Sequence, residues 1–154
     1  TLLQNVMVVM FHAQNPNSML RDQDFPISLE LQLLGGNGTD PRPTANLCTP
    51  GTEVEMGGIK VQSHCTNSTS ETFHDDEWVT VELMVHADTV VSHLVNGKRV
   101  LEYERLTVGG GSVEGFDDAM KLDGQPLTHG YIALQSESHP IQFRRVLIRR
   151  LNGT

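Results

Sequence analysis

WVTVELMVHADTVVSHLVNGKRVLEYER, residues 78–105, decides the fold. Apolar and polar side chains alternate through three runs, the period of two that sends successive residues to opposite faces of a strand. The runs are rich in Val, Leu and Thr, which suit a pleated surface. Between the second and third stands Asn96-Gly97, a pair that tolerates the positive φ required at both central residues of a type I′ turn. Ala87-Asp88 separates the first run from the second. Three short strands joined by tight turns leave no room for a helix, so this stretch predicts an antiparallel meander.

The same period recurs on either side. Strands are expected at 5–12, 27–34, 59–63, 78–86, 90–95, 99–105, 130–136 and 141–151, divided by clusters of Gly, Asn, Asp and Pro. No segment has the apolar spacing of a long helix. The expected architecture is therefore all-β, an antiparallel β-sandwich of jelly-roll type. Two longer loops interrupt it. Residues 35–58 contain Pro41, Pro43 and Pro50, and residues 109–125 contain a Gly triplet and an acidic patch. The first is expected to be pinned through Cys48 and the second to be flexible.

Composition narrows the function classes. The 154 residues suit one domain, 1–154, and the net charge of −8 disfavours a surface that tracks phosphates. A group of four arginines, Arg144, Arg145, Arg149 and Arg150, is the densest basic feature, so no nucleic acid partner is expected. No apolar run reaches the roughly 18 residues of a membrane-spanning helix. VMVVMF, starting at Val6, instead fits a buried strand. The chain opens on Thr1 and runs at once into a strand, which suggests a start set by processing.

Cys48 and Cys65 flank a polar, Gly-containing stretch with no CxxC spacing, which disfavours a structural zinc site. A disulfide between them would contribute about 3 kcal/mol by the chain-entropy model. Two buried thiols are the alternative. Asn37, Asn67 and Asn152 begin Asn-X-Thr triplets, which mark exposed loops.

Two strands present polar side chains in a row. In residues 27–34, Glu30 and Gln32 share the face opposite Ile27, Leu29, Leu31 and Leu33. In residues 130–136, Tyr131, Ala133 and Gln135 share a face that continues to Glu137. An aromatic platform ringed by amides and carboxylates suits a pyranose, as it equally suits the wet face of a sheet. His12, His64 and His139 are placed to reach the rim of one cleft, whereas His86, His93 and His129 sit near turns, where exposure or a local hydrogen bond is the usual explanation. Glu30 has no second carboxylate on its own strand face, which argues against retaining glycoside hydrolysis by a close carboxylate pair. Neither a GxSxG elbow nor a P-loop is present.

The segments HAQNPNSMLRDQDFPISLELQLLGG, RPTANLCTPGT, EWVTVELMV with VNGKRVLEYE, and GYIALQSESHPIQFRRVLI resemble the 3-keto-disaccharide hydrolase domain family. The resemblance covers most of the chain. It implies a concanavalin A-like jelly roll in which further strands precede the position of Thr1, so that the chain is the C-terminal portion of a larger family domain. It departs from the family at Gln4-Asn5-Val6, where Asn-Ser-Gly is common, and at Arg145, where Asn is common. It implies a secreted or periplasmic carbohydrate-active protein whose substrate is an oligosaccharide or 3-keto-glycoside, cleaved by proton abstraction, elimination and hydration. Carried over motif by motif, it implies His12, Glu30 and His139 as catalytic residues, with His12 or His139 as base and Glu30 orienting it or holding a divalent cation. Gln32, Gln135, Glu137 and Arg144 are the implied substrate contacts, and Tyr131 joins them from the face pattern of its strand. A non-catalytic glycan-binding module on the same fold is the rival reading, and an interaction domain with exposed edge strands is the third.

Overall fold

A computed structural model describes residues 6–74, 77–87, 89–137 and 142–151, apart from the side chain of Glu137. The chain forms the expected β-sandwich, two antiparallel sheets of five strands each among the described residues. One sheet is built from β1 (Val6–Ala13), β2 (Leu29–Leu34), β3 (Asn46–Cys48), β6 (Cys65–Thr66) and β10 (Tyr131–Glu137), in the order β10-β1-β2-β3-β6. The other is built from β4 (Thr52–Met56), β5 (Ile59–Lys60), β7 (Val81–His86), β8 (Val90–Val95) and β9 (Lys98–Val108), in the order β5-β4-β9-β8-β7.

The meander that decided the fold forms as expected. β8 turns into β9 through Asn96 and Gly97, with φ of 49° and 78°, the left-handed pair a type I′ turn demands. Ala87 is likewise left-handed between β7 and β8, and Asp88 lies outside the described residues. β1 is central, paired to β2 on one side and β10 on the other. Its unbroken apolar run follows from that position, because Met7, Val8, Met10, Phe11 and Ala13 are all buried and occupy both faces.

The core lies between the sheets. Phe11, Leu29 and Leu47 from the first sheet meet Val54, Val91, Tyr103 and Leu106 from the second. Leu31 meets Val95 and Val100 beside them. Leu29 and Leu47 are fully buried, and each such side chain contributes roughly 2 kcal/mol by leaving water.

Three expectations need correction. Residues 35–58 are not one loop, for they contain β3 and β4. The prolines at 43 and 50 punctuate a three-residue strand that pairs through Glu30↔Cys48 and Gln32↔Asn46, and TEVEM keeps a clear alternation against β9. The strand expected at 141–151 is not found: residues 142–151 run without strand pairing, and Ile141 lies outside the described residues. Its alternation breaks at FRRVLI, and no described strand edge pairs with it. The stretch 109–125, expected to be flexible, is anchored. Gly51 N–H donates to Gly111 and Glu114 N–H to the Asp24 carboxylate, while Val113 is buried in the core.

Candidate functional site

Register places the two polar rows. Val8 of β1 pairs with Gln32 on one side and Gln135 on the other, and Gln32 pairs onward with Asn46. The adjacent row runs Ala133, Met10, Glu30, Cys48, Cys65. Directly opposed residues of antiparallel strands project to the same side. Glu30, Gln32 and Gln135 therefore occupy one face of one sheet, turned away from the inter-sheet core. Gln32 and Gln135 stand two strand spacings apart, about 10 Å, across Val8.

Part of that face is hollow. Phe25, Glu30, Gln32, Cys48, Pro50, His64 and Cys65 line a depression of about 100 Å³. That is less than the roughly 300 Å³ of an enclosing ligand pocket, so a sugar would lie against it and not inside it. Phe25 also packs beside Val8 and Met10, and so supplies an apolar wall next to the polar floor.

Each polar group is held by neighbours. Glu30 is buried in the floor at 6% exposure. Asn46, fully buried, accepts from the Ser68 N–H through Oδ1 at 2.9 Å, which fixes its Nδ2 as the donor. Nδ2 donates to the Pro43 carbonyl at 3.0 Å and to Gln32 Oε1 at 3.4 Å. The Gln32 oxygen is thereby engaged, and its Nε2 is left as a donor for a ligand. Gln135 Oε1 is buried and has no hydrogen-bond partner among the described residues. A buried acceptor in that state costs free energy until something donates to it.

The disulfide expected between Cys48 and Cys65 is present and forms one wall. It joins directly opposed residues of β3 and β6, with Cα atoms 4.1 Å apart.

Of the other residues nominated from the sequence, those described fall elsewhere. His12 is absent from the lining; it sits at the irregularity between Met10 and Ala13 with φ of 46°, and both its ring nitrogens are shielded from solvent. Tyr131 is half exposed and pairs with Ala13. The Glu137 backbone pairs with Val6. Arg144 stacks its guanidinium over exposed Trp78, 5.9 Å from the ring centre. His139 lies outside the described residues. Asn46 and Phe25 were missed by sequence reasoning: one sat inside a presumed loop and the other in the approach to a strand. Period-two alternation carries no signal for either.

A second depression, on the other sheet, is lined by Glu53, Val54, Glu55, Lys60, Arg105 and Thr107. Its charges are matched internally, Lys60 with Glu53 at 2.6 Å and Arg105 with Glu55 at 3.4 Å. It offers a ligand less.

Residues 7–149 match the family described as the 3-keto-alpha-glucoside-1,2-lyase-like domain. The chain belongs to this family. Comparison with curated proteins and with solved structures gave no match. In this 3-keto-alpha-glucoside-1,2-lyase-like domain, Glu30 and Gln32 of the LELQLLG motif and Cys48 of LCTPGT face one hollow, and Ser136 and Glu137 of the SESHP motif end the strand that carries Gln135.

Proposed function

We propose that the chain cleaves 3-keto-glycosides at the hollow on the β1-β2-β3 face, by proton abstraction, elimination and rehydration. The observation that carries this reading is the meeting of a carboxylate, an imidazole and an amide donor, Glu30, His64 and Gln32, in one hollow beside the apolar wall of Phe25. A ketone at C3 acidifies the proton at C2. A base removes that proton, and the electron pair moves onto O3 as an enolate. Collapse of the enolate re-forms the ketone, makes the C1–C2 double bond and expels the substituent at C1. Water then adds at C1 and a proton returns to C2.

This chemistry needs one base and one donor for the enolate, so the lack of a second carboxylate beside Glu30 does not count against it. His64 takes the proton, Glu30 offsets the positive charge that develops on the imidazole, and Gln32 Nε2 donates to the enolate oxygen. Gln135 extends the contact to a second sugar across β1. The donor sets also suit a hydroxyl-rich glycan without cleavage, which is the binding-module reading. The disulfide fits an extracellular or periplasmic setting, and no helix among the described residues is long and apolar enough to cross a membrane.

The test is release of the C1 substituent from a 3-keto-glycoside by the pure protein. His64→Ala and Glu30→Gln are each expected to lower the rate by about 10² to 10⁴-fold, and Gln32→Ala by about 10²-fold. His12→Ala and His139→Ala run alongside, because the sequence nominated both. No release above background, with calorimetric binding of unmodified oligosaccharide, would replace the enzyme by the binding module.

A further inference from the structure

We propose that the Cys48–Cys65 bridge conceals a metal site: once reduced, its two sulfurs and the His64 imidazole bind a zinc-class divalent ion at the edge of the hollow. The sulfur atoms and a ring nitrogen of His64 already lie within 4.8 Å of one another. Two thiolates and one imidazole around a tetrahedral ion need donor separations of about 3.5 to 3.8 Å, given metal–sulfur and metal–nitrogen distances near 2.3 and 2.0 Å. Side-chain rotation spans that difference once the sulfurs are parted.

The backbone is positioned to hold this cluster without the covalent bond. Cys48 and Cys65 are opposed in the β3–β6 ladder. The residue flanking each strand extends the clamp, because Thr49 donates to the His64 carbonyl from its N–H at 3.0 Å and from its hydroxyl at 3.2 Å. Cys48 is buried while Cys65 and His64 are exposed, so one ligand roots the site and two remain accessible to an incoming ion. Three protein ligands leave a fourth position open, as in catalytic zinc sites, and all three line the hollow shared with Glu30 and Gln32.

The chemistry balances with a dithiol as reductant. Two electrons and two protons pass from the dithiol to the bridge, which gives two cysteine thiols and the oxidised dithiol. Metal binding then releases both thiol protons as the sulfurs become thiolates. An ion bound this way also takes up the His64 lone pair, so the oxidised and the reduced, metal-loaded forms present different chemistry to the same hollow. This consequence for catalysis rests on the function proposed above. The metal site itself does not.

The test uses the full chain, reduced with a phosphine that does not compete as a thiolate, with Co²⁺ as spectroscopic probe and Zn²⁺ in competition. The expected result is one ion per chain, a thiolate-to-cobalt charge-transfer band, and binding at least about tenfold tighter than in the oxidised protein. His64→Ala, at an exposed position, should weaken the ion by at least about tenfold while far-UV circular dichroism stays unchanged. The proposal is overturned by absence of the band in reduced protein, by equal affinity in the oxidised form, or by an unaltered affinity in His64→Ala. Loss of the strand spectrum on reduction overturns it too, since the site requires the ladder.

Discussion

His93 shows what a single side chain does here. It is fully buried, with Nδ1 2.9 Å from the Ala45 carbonyl and Nε2 2.9 Å from the Tyr103 hydroxyl. A carbonyl only accepts, so Nδ1 carries the proton and Nε2 accepts from Tyr103. Both partners suit the neutral ring, and burial pulls its pKa from 6.5 down to about 4. The sign follows from linkage. Below pH 6.5 the unfolded chain takes up a proton that the folded one refuses, so stability is complete above that pH and falls as pH drops toward 4. The expected loss across this window is about 3 kcal/mol, read from urea midpoints at successive pH values; midpoints independent of pH there would refute it. Asp40 and Glu102, held low by hydrogen bonds from Asn37 and Ser92, are surface groups that matter only at more acidic pH. Alternation already set His93 on the face of Val91 and Val95, while its position within a hairpin suggested exposure or a local hydrogen bond, of which the hydrogen bond is found. Gly130 offers a second residue-scale test. A Cβ there would lie 2.4 Å from the His12 carbonyl carbon, so Gly130→Ala should cost about 1 to 3 kcal/mol in thermal or urea unfolding.

Among elements, the long strands were legible because alternation over six or more residues is hard to produce otherwise, and β8 matches its expected bounds residue for residue. β3 and β6 were not, for three residues and two residues carry no period. What defines them is the disulfide and the ladder they share. Replacing Cys48 and Cys65 together by Ser should therefore lower stability by about 3 kcal/mol by the loop-entropy estimate, with the urea slope nearly unchanged; a loss under 1 kcal/mol would mean that the ladder alone holds β6 in place. The candidate site divides the same way. Glu30 and Gln32 could be read because they alternate on a long strand, whereas the meeting with His64 depends on β6 docking beside β3, a long-range pairing that no local pattern encodes.

At the scale of the whole molecule, exposed apolar surface is concentrated late in the chain. Ile132 and Leu134 of β10 are about half exposed, and Leu147 and Ile148 reach 75% and 81%. Exposed apolar side chains in this number favour association. Sedimentation should show concentration-dependent self-association that Leu147→Glu with Ile148→Glu suppresses, and a monomer at every concentration would contradict the expectation. The overall class was legible because turns and alternation speak for the whole chain at once. The fate of residues 142–151 was not: β10 ends its sheet, yet the run pairs with no described strand, and its composition alone carries no sign of that.

The imidazole that joins Ala45 to Tyr103 ties one layer of the sandwich to the other. Docking holds the ring in the Nδ1–H tautomer, so while the layers are in register its ¹⁵N shifts should show Nδ1 protonated and Nε2 bare, which makes that one ring a built-in gauge of docking. Followed during refolding, it would report whether the layers close before or after each has formed.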